Sequence, residues 1–185
     1  MPTEIKVLEF YCGIGGTHFA MAEVDSCIAN VVGAYDINTT TNAIYRHNFP
    51  STKLFQNNIQ SLSVPALEAF EADLWTMSPP CQPFTLKGNR LGEEDRRCDS
   101  FKVLLSRLEE MNNPPKFIFL ENVKGFNGTS AHKSLLQTLY GKGYALEEYL
   151  LSPLQFGVPN SRPRNEWKSE KIHSSGDFIT HDLPL

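Results

Sequence analysis

Short apolar runs alternate with helix-length segments and turn signals along the whole chain, and this alternation constrains the fold more than any other feature. Residues 5–11 read as a strand closed by Gly13-Ile14-Gly15-Gly16, followed by a helix through Glu23. Residues 31–35 form a second short strand ending at Asp36, and Asn38 is placed to cap a helix over 39–47. A weak third strand covers 53–55, and a fourth covers 74–77 and is stopped by Pro79-Pro80. Residues 100–111 are helical, with Phe101, Leu104, Leu105 and Leu108 on one face. A fifth strand spans 117–120, a helix over 134–140 ends at Gly141 and Gly143, and a sixth strand spans 144–151. Strands separated by helices predict an α/β fold with a mostly parallel, doubly wound sheet. Ligands of such sheets bind beyond the carboxyl ends of the strands. Three unusual segments fall at such ends: residues 13–16, 78–85 and 121–123.

A chain of 185 residues fits one domain able to bury a single core. Its first residues carry Glu4, Lys6 and Glu9, so no signal-peptide core is expected. No run approaches the ~18 apolar residues of a membrane span, and an intracellular protein, cytoplasmic or nuclear, is expected. Cys12, Cys27, Cys81 and Cys98 form neither a C-x-x-C pair nor a cluster with histidine, which argues against a disulfide framework or a bound metal. The net charge of -4 leaves nucleic-acid binding to local basic patches. One comprises Lys87, Arg90, Arg96 and Arg97 around Glu93-Glu94-Asp95; the other comprises Arg162, Arg164, Lys168 and Lys171.

Glycines directly after a first strand let the backbone approach a ligand and aim amides at it. Asp36, twenty positions after Gly16, stands where an acid can take both hydroxyls of a ribose. A tight turn beside a surface acid would look the same, and the pattern does not say which adenosine cofactor is bound. In Pro79-Pro80-Cys81-Gln82-Pro83 the prolines fix φ and deny helical continuation, so Cys81 is presented on a stiff turn. A thiol so presented suits covalent catalysis, whereas a bystander cysteine would more commonly sit inside an apolar periodic segment. Glu121-Asn122-Val123 follows an apolar strand, where a partly desolvated carboxyl favours the protonated form that donates to a ring nitrogen. A capping or salt-bridging acid is the simpler reading of Glu121 alone. Arg162-Pro163-Arg164 fits a phosphate or a base edge, or else a solvated basic run.

Taken together, Tyr11-x-Gly13-x-Gly15-Gly16, Pro79-Pro80-Cys81-Gln82, Glu121-Asn122-Val123 and Arg162-x-Arg164 resemble the ordered motifs of the cytosine-C5 methyltransferases. Residues 78–85, Leu120-Glu-Asn-Val-Lys-Gly-Phe126, Asp36-Ile-Asn38 and Pro159-Asn-Ser-Arg162 are similar to the eukaryotic branch that methylates transfer RNA, typically in the anticodon loop of aspartate tRNA. The resemblance runs from about Ile5 to Arg164. It implies a Rossmann-like domain using S-adenosylmethionine as methyl donor, with no metal. It also implies cofactor contacts at Tyr11, Gly13, Ile14, Gly15, Gly16, Asp36, Ile59, Gln60 and Ser78. Cys81 would add to C6 of cytosine, Glu121 would contact N3 and the exocyclic amine, and Arg162 and Arg164 would position the base and backbone. Residues 86–98 would correspond to a mobile loop closing over the base, and the partner would be a tRNA loop, with DNA as the alternative. A nicotinamide-dependent Rossmann enzyme is the weaker reading, since it leaves Pro79 to Gln82 and Glu121 without a role.

Beyond Arg164 the chain departs from the family. Asn165-Glu-Trp-Lys-Ser-Glu-Lys171 is polar where an aromatic-apolar strand is expected, and a target-recognition domain is not expected in this chain. The expectation is therefore a catalytic part over 1–164 and a divergent, poorly ordered tail over 165–185. A sheet incomplete at its C-terminal end and an unpaired edge would follow, with weak or absent catalysis; a non-catalytic fragment that keeps the fold is the competing reading.

Overall fold

The computed structural model of the protein describes residues 3–80 and 99–172. Among these, seven strands form one sheet in the order β3-β2-β1-β4-β5-β7-β6. The strands are β1 (Thr3–Phe10), β2 (Cys27–Tyr35), β3 (Leu54–Phe55), β4 (Leu74–Met77), β5 (Phe117–Val123), β6 (Tyr144–Leu151) and β7 (Arg164–Lys171). Neighbours from β3 through β5 pair in parallel, while β7 runs antiparallel to both β5 and β6. The helices are α1 (Gly16–Ala22), α2 (Thr39–Asn48), α3 (Val64–Glu68), α4 (Asp99–Glu110) and α5 (Ser130–Gly141). Each strand and long helix expected up to residue 151 is present, together with α3, which the sequence reading did not include.

Local chemistry explains the elements that carry the site. Asn38 caps α2 as expected, its side-chain oxygen accepting from the amides of Thr40 and Thr41. In α4 the predicted face of Phe101, Leu104, Leu105 and Leu108 is buried against the sheet. The β1–β2 register shifts between Val7 and Leu8, opposite Gly33. A Cβ on Gly33 would lie 2.9 Å from the Phe70 ring and 3.0 Å from Leu8, so the absent side chain permits that approach.

The C-terminal expectation needs correction. Residues 165–171, expected to begin a poorly ordered tail, belong with Arg164 to an interior strand, paired with β5 from Phe117↔Glu170 to Val123↔Arg164 and with β6 along its other edge. The sheet therefore does not end unpaired at β5, and the expected boundary after Arg164 falls at the start of β7. The polar composition hid a period of two. Asn165, Trp167 and Ser169 point into the protein, whereas Lys168 and Glu170 face outward. An antiparallel strand with one wet face tolerates that composition. Residues 173–185 lie outside the described residues.

Candidate active site at the strand ends

Tyr11 directly follows β1 with φ of 58°, a left-handed conformation that a bulky side chain adopts only when its surroundings impose it. Gly13 and Gly15 continue the turn at φ of 54° and 92°. The Gly13 amide donates to Asp36 Oδ2 at 2.9 Å, and the Asn38 amide donates to Asp36 Oδ1 at 2.8 Å. The carboxylate is thereby fixed at the end of β2 with lone pairs remaining on both oxygens. Beside it opens a cavity of about 590 Å³ walled by Tyr11, Asp36, Ile59, Gln60 and Ser78 among others. Five of the expected cofactor residues thus converge. Gly13, Ile14, Gly15 and Gly16 do not line this cavity; they form the turn that carries Tyr11 and Asp36 to it, and Ile14 is half exposed.

The cavity wall also includes residues the sequence reading passed over: Ile37, Asn57, Asn58, Asp99 and Ser100. Asn58 was accessible in principle, since an asparagine before Ile59-Gln60 is a turn signal, and its side chain does accept from the Gln60 amide at 3.0 Å. Ser100 was not. It arrives from α4, where its hydroxyl meets that of Tyr11 at 3.1 Å.

A second, smaller cavity of about 160 Å³ lies beside the first, lined by Ser78, Pro79, Pro80, Glu121, Asn122, Val123, Arg162 and Arg164. Ser78 and Pro80 line both chambers. Glu121, Asn122 and Val123 are not a loop after β5, as expected, but its last three residues, paired with β7. Glu121 is also not an isolated, desolvated acid. Arg164 Nε lies 2.7 Å from Glu121 Oε1 in an ion pair, and both side chains keep partial exposure. The Arg162 side chain is exposed, and its backbone amide donates to Ser152 Oγ at 3.2 Å. Buried Asn122, which carried no assigned role, donates from Nδ2 to the Pro79 carbonyl at 3.2 Å and ties β5 to the proline turn.

Cys81 follows Pro80 in the chain but lies, with residues 82–98, outside the described residues. Cys12 is a free thiol. Burial, then the charges of Glu9 and Asp36, pushes its titration far up, so it stays a protonated structural thiol. Among the described residues no group of three metal-ligating side chains occurs, and no helix is long and apolar enough to cross a membrane.

A strand-end cavity at the glycine turn, an acid at the end of β2 and a reversed strand inside a parallel sheet define a Rossmann-like α/β domain with a ligand site at its strand ends. The chain belongs to the C-5 cytosine-specific DNA methylase family, whose profile matches residues 5–166. It is 44% identical over 161 residues to the tRNA (cytosine(38)-C(5))-methyltransferase of Homo sapiens, covering 86% of this chain and 41% of that protein. It is 42% identical over 164 residues to a DNA (cytosine-5)-methyltransferase of Dictyostelium discoideum, covering 87% of this chain and 43% of that one. The crystal structure of the S. pombe Dnmt2 methyltransferase superposes with a TM-score of 0.83 at 37% identity, over 96% of this chain and 52% of that chain. The chain thus spans about half, or less, of the length of these relatives.

Proposed function

We propose that this domain transfers a methyl group from S-adenosylmethionine to C5 of a cytosine in tRNA, with cytosine 38 of the anticodon loop as the target. The observation that carries the reading is the shared wall: Ser78 and Pro80 line both the 590 Å³ cavity beside Asp36 and the chamber of Glu121, Arg162 and Arg164. A donor in one and a base in the other would meet at the turn leading directly into Cys81. The residues fit the cofactor: Asp36 offers acceptors to a ribose, Tyr11 and Ile59 offer apolar surface to an adenine, and Gln60 and Asn58 offer amide groups. When bound, S-adenosylmethionine supplies an electrophilic methyl on a sulfonium.

The protein's task is to make C5 nucleophilic. The Cys81 thiolate adds to C6, forming a C–S bond while the C5–C6 π pair shifts toward C5. Glu121 holds the N3 and amino edge of the ring, protonation at N3 limits the charge that develops, and Arg164 holds Glu121 in place. Once the methyl is on C5, a base removes the C5 proton and the C–S bond breaks, restoring the aromatic ring and the thiolate. An unpaired loop base leaves its stack at lower cost than a paired one, which favours tRNA over duplex DNA. The identity to the human tRNA enzyme points the same way, and DNA remains the second reading through the Dictyostelium relative.

The test is methyl incorporation from labelled S-adenosylmethionine into tRNA and into DNA by the chain and its Cys81→Ala variant. Incorporation into tRNA by the parent alone is expected. Preference for DNA would move the substrate assignment. Incorporation by neither folded protein would favour the non-catalytic reading.

A further inference from the structure

Helix α1 follows the glycine turn directly, yet it has seven residues, buries none of them and lacks a side-chain cap. Core packing therefore does not fix its position. His18 reaches back to the sheet instead. Its Nδ1 lies 2.8 Å from Tyr45 Oη and 3.3 Å from Glu9 Oε2. Glu9 on β1 and Tyr45 on α2 are both fully buried. The Tyr45 hydroxyl donates to Glu9 Oε2, and burial followed by the Glu9 charge pushes the Tyr45 titration far above the phenol range, so the proton stays on the ring oxygen. A hydroxyl has one proton. With that proton directed at Glu9, the contact to His18 has to be one in which imidazole Nδ1–H donates.

The same imidazole lies flat on Phe49, with ring centroids 3.7 Å apart and planes 3° apart. Phe49 in turn fills the space under the turn: a Cβ on Gly15 would be 2.3 Å from its ring. The other carboxylate oxygen, Glu9 Oε1, is buried without a hydrogen-bond partner among the described residues. The links from this carboxylate to α1 and α2 thus run through Oε2.

We propose that His18 is a positioning residue for the cofactor site, tethering α1 through Nδ1 to Tyr45 and Glu9 and so holding Tyr11 to Gly16 in their left-handed turn. The proposal rests on the reading of that turn as part of the S-adenosylmethionine site. It is tested in the full chain with His18→Ala and His18→Asn; the asparagine amide places a donor near the Nδ1 position, and alanine places none. Two readouts are taken: hydrogen exchange of the amides of residues 13–19 without ligand, and the S-adenosylmethionine dissociation constant by calorimetry. His18→Ala is expected to speed exchange at 13–19 and weaken binding by about tenfold each, with His18→Asn restoring both to within about threefold. Exchange in β5 and α4 should not change in either variant. Unchanged protection at 13–19 in His18→Ala overturns the proposal, as does an equal loss of protection across the whole sheet, or a failure of asparagine to rescue. If His18→Ala does not fold, Tyr45→Phe keeps the ring packing and removes the relay hydroxyl, and it must loosen the same segment. If the parent chain binds no S-adenosylmethionine, the cofactor reading fails, and the tether is then decided by the exchange pattern alone.

Discussion

The β1–β2–β4 side and the β5–β7–β6 side of the site differ in how their polar groups are served. On the first side, both Asp36 oxygens accept backbone amides from residues close in the fold, and Asn58 and Asn38 close their own turns. Glu9 Oε1 and Asn42 Oδ1 are its buried atoms without a partner among the described residues. On the second side, Ser130 Oγ, Asn165 Nδ2 and Trp167 Nε1 are in that condition, and His132 Nε2 and Glu148 Oε1, also without hydrogen bonds, face each other at 3.9 Å. Each such group forfeits part of its solvation on burial. One side is thus built from local, self-satisfying turns. The other is a slot between β5 and β6 filled by a strand whose inward residues are Asn, Trp and Ser, held by its backbone ladder and by one large ring.

That ring is the point at which the second side should be most sensitive to substitution. Trp167 is fully buried, with Phe126 edge-on at 5.2 Å and His132 at 5.5 Å. Trp167→Ala should cost about 3–5 kcal/mol, read by urea denaturation. A cost under about 1 kcal/mol would show that β7 is not part of the core and would return residues 165–171 to the status of a tail. Gly15→Ala tests the opposite side and should cost less, about 2–4 kcal/mol. It combines a side chain at φ of 92° with a clash against the Phe49 ring. Its fingerprint is different too: cofactor binding should be lost under conditions where the protein is still folded. Equal loss of stability and binding would mean that the turn is no more local than β7.

This difference also governs what the sequence disclosed. The glycine turn and the Asn38 cap were readable because each is determined by residues a few positions away, where turn and cap chemistry is explicit, and Asp36 was readable from its place after the second strand although its partner Gly13 lies 23 positions away. The apolar strands and the α4 face were readable from their period. β7 was not, because its partners are more than a dozen residues distant and its inward positions are polar, so an apolar-period criterion passes over it. Ser100 and Asn122 were missed for the related reason that their roles exist only across elements, to Tyr11 and Pro79. Glu121 was read as an acid shaped by desolvation. Its surroundings are set by Arg164, whose distance from it no spacing rule predicts.

The smallest expected effect concerns charge on the poorly served side. Glu166 on β7 stands directly opposite Glu121 on β5, with Arg164 and Lys168 two positions to either side and Tyr149 of β6 across from it. Burial first, and then the Glu121 charge, raises the Glu166 carboxyl above its ordinary range. A carboxyl raised in the folded state binds its proton more tightly folded than unfolded. Its contribution to stability is therefore most favourable below the ordinary carboxylate range and is lost as pH rises through the folded value. Glu166→Gln removes that loss and the facing like charge. The variant should be more stable than the parent by about 0.5 kcal/mol at neutral pH, a gain that fades as pH is lowered toward about 4. Denaturation curves at the two pH values measure it. A loss of stability at neutral pH would instead mean that Arg164 is shared between Glu121 and Glu166. The ion pair at the base chamber would then be a three-membered network, and the β7 side would be satisfied through its charges where its buried amides are not.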